Sequence, residues 1–86
     1  MERLASIRLI APESPKKAFY ALNLLKDEKG YHVAKESGWG NNVLDRRLWF
    51  FSDETKAFGF YNRKIREKLN DKRKSPRRYI IDKKWS

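Results

Sequence analysis

A tryptophan and three cations gather in one short stretch: Trp39-Gly40, with Lys35 before it and Arg46-Arg47 after it. Lysine and arginine neutralise phosphates and release counterions, which gives affinity that ignores base sequence and falls steeply with salt. A flat ring beside them can lie against a sugar or an exposed base, with stacking worth about 1–3 kcal/mol per base. The stretch Gly38-Trp39-Gly40-Asn41-Asn42 is rich in residues that accept positive φ, so it reads as a hairpin turn between two strands. Within that turn Trp39 has two readings: a ring folded back on the sheet as a lid, or a ring presented to a partner.

A second basic stretch, Lys72-Arg73-Lys74-Ser75-Pro76-Arg77-Arg78, is the densest charge run of the chain. The 86 residues carry a net charge of +10, and its distribution is lopsided. Residues 1–60 hold 10 Lys/Arg against 8 Asp/Glu, whereas residues 61–86 hold 11 against 3. Such an excess is a statement about partners, with nucleic acid or an anionic membrane surface at the head. A solvated helix face and a disordered basic tail are the bland alternatives, but Tyr79, Ile80, Ile81 and Trp85 argue against a tail of pure charge. Segment 72–86 is therefore expected to belong to a single domain spanning 1–86, with some flexibility of its own.

Catalysis finds little support. One histidine and no cysteine leave no nucleophile–base pair or metal cluster to assemble, and the acids are scattered. No glycine-rich phosphate loop opens a helix. His32 on a strand reads as a partly buried or surface side chain. No enzyme activity, cofactor, metal or small-molecule substrate is expected. The absence of cysteine suits a reducing compartment, no run reaches the ~18 apolar residues of a membrane span, and the N-terminus lacks a signal-peptide core. The expectation is a cytoplasmic protein.

The elements that must hold these residues follow from period. Ala5, Ile7 and Leu9 alternate with Ser6 and Arg8 in a first strand, which Pro12-Glu13-Ser14-Pro15 ends. Tyr20, Leu22 and Leu24 mark a central strand over 17–25, and Lys26-Asp27-Glu28-Lys29-Gly30 turns it into a third strand from Tyr31 to Glu36. A fourth strand, Val43 to Phe51, is expected to set Leu44, Arg46, Leu48 and Phe50 on one face and Arg47, Trp49 and Phe51 on the other, with aromatics covered on both sides at its end. If strands three and four pair around the turn, Lys35, Arg46 and Arg47 fall close to Trp39.

Ser52, followed by Asp53 and Glu54, reads as the N-cap of a helix whose apolar stripe is Ala57, Phe58, Tyr61, Ile65 and Leu69. Membrane attachment is disfavoured because that stripe is needed to cover the sheet. Arg63, Lys64, Arg66, Glu67 and Lys68 form the opposite, solvated face. Asn70-Asp71 closes the helix, and Tyr79-Ile80-Ile81 is β-prone enough for an edge strand.

Taken together, Lys17-Ala18-Phe19-Tyr20-Ala21-Leu22-Asn23-Leu24, Trp39-Gly40, Phe50-Phe51-Ser52 and the helix residues Ala57, Phe58, Tyr61 and Lys68 resemble the WGR domain of poly(ADP-ribose) polymerases and bacterial proteins. The likeness runs from about Arg3 to Ile81. Asn41 replaces the motif arginine, the glycines that follow it in the family are absent, and Arg78 stands for the glycine of a final Gly-Tyr pair. The resemblance implies an α+β fold, a small antiparallel sheet with one helix on one face. It also implies binding to DNA near ends or breaks, with Trp39 against a terminal sugar and Gly40 beside it.

Charge and placement add Lys35, Arg46, Arg47, Lys72, Arg73, Lys74, Arg77 and Arg78 as phosphate contacts. DNA is the expected partner, and charge alone does not distinguish it from RNA. A protein-interaction module docking on an acidic partner is the alternative from another class.

Overall fold

The computed structural model describes residues 1–69 and 79–82. Its elements are β1 (Glu2–Ala11), β2 (Ala18–Lys26), β3 (Tyr31–Trp39), β4 (Asn42–Phe51), α1 (Glu54–Leu69) and β5 (Ile80–Ile81). The strands form one antiparallel sheet in the order β4-β3-β2-β1-β5. Three hairpin-like connections build the first four strands in sequence order. The chain then crosses back so that Ile80 and Ile81 add to the free edge of β1. The fold is α+β, as the alternating runs and the single helical stripe require.

Cross-strand partners share a face, so the register sorts every side chain. Leu9 opposes Tyr20, Leu22 opposes Lys35, and Leu24 opposes Val33, which in turn opposes Trp49. This face takes α1. Leu9, Leu22, Leu24 and Val33 are fully buried there, with Ala57 and Tyr61 of the helix above them and Ile65, Leu69 and Phe60 at the margins. The other face pairs Ala34 with Leu48 and His32 with Phe50. Leu48 is 63% exposed and Phe50 54% exposed, so the end of β4 is covered on one side only. The helix α1 is one layer, and one layer covers one face of a sheet.

Two local details depart from the sequence reading. The helix cap is Asp53, not Ser52: the Thr55 N–H donates to Asp53 Oδ1 at 2.9 Å, and the Ala57 N–H donates to the Asp53 carbonyl at 3.1 Å. The register also slips between Ser37 and Gly38, where Leu44 is the extra residue of β4. The bulge turns Leu44 away from the face of Leu48 and Phe50, and it joins the hollow around Trp39 instead.

Candidate nucleic-acid interface

The turn between β3 and β4 is a two-residue loop, Gly40-Asn41, closed by the Trp39–Asn42 pair. Gly40 has φ +58° at the first central position, the requirement of a type II′ hairpin, while a Cβ there would meet nothing. Gly38 is needed for a different reason. A Cβ on it would stand 1.9 Å from the Asn42 carbonyl oxygen, so only glycine lets the bulged strand come this close. The loop is anchored across the sheet end by the Gly40 N–H donating to the Lys17 carbonyl at 3.1 Å. Lys17 itself is held at φ +56°.

Trp39 stands outside the buried core and is half-buried. It borders a hollow of about 180 Å³ on the helix side, shared with Tyr20, Lys35, Ser37, Leu44, Lys68 and Tyr79. Two lysines reach this hollow over aromatic rings. Lys68 Nζ lies 4.8 Å from the Tyr20 ring centroid and 5.9 Å from that of Tyr79, and Lys35 Nζ lies 5.9 Å from Tyr20. A third, Lys16, sits on the Trp39 ring itself, 4.3 Å from its centroid. Each such interaction contributes on the order of 0.5–1 kcal/mol at an exposed site and leaves the charge in place. Burial pushes the Tyr20 hydroxyl up to about 12, with the carboxylate of Glu67, Tyr79 and then Asp45 adding to it, so the phenol keeps its proton at neutral pH.

Lys35 is not a bare cation. It is hydrogen-bonded to Asp45, whose carboxyl this bond lowers below the usual range, with help from the charge of Arg47. The hollow therefore combines paired and ring-seated lysines, with a protonated phenol and a tryptophan on its rim.

No family model, curated protein or solved structure matches the chain. The site is accordingly defined by its own chemistry.

The sequence-predicted residues separate. Trp39, Gly40 and Lys35 meet at the hollow or its edge. Arg47 opposes Lys35 on the same face but one strand further out, and its guanidinium lies 5.8 Å from the Trp49 ring centroid. Arg46 opposes Glu36 on the other face, with Nε 3.9 Å from the Glu36 carboxylate. Adjacent residues of a strand point to opposite faces, so Arg46 and Arg47 cannot both attend Trp39. Lys35, Arg46 and Arg47 do border one shallow hollow of about 260 Å³ over β3 and β4, but Trp39 takes no part in it. Lys72, Arg73, Lys74, Arg77 and Arg78 lie outside the described residues.

Lys16, Lys68, Tyr20 and Tyr79 were missed by sequence reasoning. Lys68 had a signal: it lies three residues after Ile65 and seven after Tyr61, at the flank of the apolar stripe. Lys16 had none beyond its place two residues before Ala18, the strand partner of Trp39. A larger hollow, about 660 Å³, lies at the opposite end of the sheet around Met1, Lys26 and Glu28. Its lining mixes both charges with no aromatic ring, so its size does not make it the site. Among the described residues no three of His, Asp and Glu gather to hold a metal, and no helix is long and apolar enough to cross a membrane.

Proposed function

We propose that this is a non-catalytic, cytoplasmic domain that binds nucleic acid, and that its target is DNA at ends, nicks or breaks. The observation that carries the reading is the grouping of Lys16, Lys35 and Lys68 around the half-buried Trp39 at one end of the sheet. A phosphate suits the lysines, and a terminal sugar or unstacked base suits the ring. The site presents a hairpin turn and not a protruding helix, and α1 spends its apolar stripe on the sheet, so reading of a major groove is not its mode. The resemblance to the WGR domain points to the same end of the molecule through Trp39 and Gly40.

The test is a titration with blunt, nicked, circular and single-stranded DNA and with RNA over a salt series. Expected is binding that weakens steeply with salt and favours DNA carrying an end or nick over closed circular DNA. Absence of binding at low salt, or binding indifferent to salt, overturns the reading; equal affinity for RNA overturns the choice of DNA.

A second reading rests on a different observation. Leu48 and Phe50 are exposed on the uncovered face, which favours protein docking there. It requires no DNA contact and makes Leu48, not Trp39, the sensitive position.

A further inference from the structure

Beyond the turn, the helix side of β4 carries a second group of cations that the Trp39 site does not use. Trp49 and Phe60 pack against each other with ring centroids 4.8 Å apart, joining β4 to α1. Three cations surround this pair. The Arg47 guanidinium lies 5.8 Å from Trp49, Lys64 Nζ lies 5.8 Å from Trp49 and 5.4 Å from Phe60, and the Arg63 guanidinium lies 5.4 Å from Phe60. We infer that Arg47, Lys64 and Arg63, seated on Trp49 and Phe60, form a phosphate track that carries DNA away from the Trp39 turn along the seam where β4 meets α1. The inference rests on the DNA-binding reading and extends it from a point to a path.

Continuity supports the path. Arg47 is the cross-strand partner of Lys35, about 5 Å away along the sheet. Lys64 lies one helical turn, about 6 Å, before Lys68. Lys35 and Lys68 of the turn site thus each have a cationic neighbour one step further along.

Charge balance supports it too. The acids facing this group are Glu67, 3.9 Å from Arg63 and 3.8 Å from Lys64, and Asp45, which is hydrogen-bonded to Lys35 and lies near Arg47. One carboxylate is shared between Arg63 and Lys64, and Arg47 makes no ion pair with a described carboxylate. On the other face Arg46 has Glu36, 3.9 Å away, and Arg8 has Asp82 at 3.6 Å.

From Trp39 to Val33, the partner of Trp49, is six residues of strand, about 20 Å. At about 3.4 Å per base pair the track spans roughly six base pairs from the end held at Trp39.

The test is the salt dependence of binding to a blunt duplex for the wild type, for Arg47→Gln/Lys64→Gln, for the charge-keeping Arg47→Lys/Lys64→Arg, and for Arg46→Gln. With two phosphate-neutralising charges removed, the log–log salt slope of the glutamine variant should be shallower by about 1.8. Its preference for ends should persist, the charge-keeping variant should recover the wild-type slope, and Arg46→Gln should leave it unchanged. An unchanged slope in the glutamine variant, while the wild type binds with steep salt dependence, overturns the track and leaves the Trp39 reading standing. An equal loss in Arg46→Gln also overturns the track, because it would show a diffuse field without a path. A wild type that does not bind removes both.

Discussion

The two faces of the sheet are built from the same strands and differ in how much of their apolar surface they bury and how many of their lysines they hold against aromatic rings. On the helix face, apolar residues are buried and cations rest on aromatic rings: Lys16 on Trp39, Lys68 on Tyr20, Lys64 on Trp49. On the open face, Leu48 and Phe50 are exposed, Arg46 pairs with Glu36, and Arg8 lies 3.6 Å from Asp82 and 4.6 Å from the Phe19 ring centroid. A cation seated on a ring keeps its charge, and Lys64 does so while sharing Glu67 with Arg63, so two cations face one carboxylate there. Among the described residues, the lysines that rest on aromatic rings thus lie on the helix face. This is why adjacent arginines, 46 and 47, have different expected roles.

The comparison breaks most sharply on stability. Leu22→Ala empties a fully buried position on the helix face and should cost about 2–5 kcal/mol. Leu48→Ala on the open face should stay within about 0.5 kcal/mol. Denaturant midpoints of the two variants check both values, and comparable losses would mean that something covers the open face.

Next in size is the turn tryptophan. Trp39→Ala should weaken binding to DNA ends by about 1–3 kcal/mol, the worth of one stacked ring, while a thermal melt moves little because the ring lies outside the buried core. A stability loss of several kcal/mol would recast the ring as a structural lid.

Gly40→Ala sharpens the same comparison at the backbone. Its φ of +58° costs an alanine about 1 kcal/mol, with no clash to add, and binding should follow only if the turn shifts. Chemical denaturation gives the first quantity, and titration with a blunt duplex gives the second.

The smallest effect concerns the open-face pair. The His32 ring donates to Asp27, and with the backbone N–H groups of Lys29 and Gly30 it holds that carboxyl below its usual range. A depressed carboxyl contributes stability above its ordinary value and loses it as the pH falls through the folded one. Asp27→Asn should therefore be slightly less stable than wild type at neutral pH, with the gap closing in acid below about pH 4. Thermal melts at a series of pH values read it, and a gap that widens in acid would contradict the assignment.

Much of the fold was legible in the amino-acid pattern because burial has a period. Leu22 and Leu24 at spacing two and Ala57, Tyr61 and Ile65 at helical spacing each required one covered face, and those faces met. The Trp39 turn was legible through Gly40, whose positive φ is a local requirement. Gly38 looked equivalent, yet its reason is the cross-strand approach of Asn42, which no local rule contains.

What pattern could not supply was register and long-range company. A slip of one residue moves a side chain to the other face, so the bulge at Leu44 and the division of Arg46 from Arg47 emerged only with the paired strands. Lys16 and Lys68 lie 23 and 29 residues from Trp39 in the chain, and it is the closing of the sheet end and the docking of α1 that set them beside it. The local sequence specified a tryptophan turn and an excess of cations; the tertiary structure decided which cations the turn can use, because a face is a property of paired strands and not of any one of them.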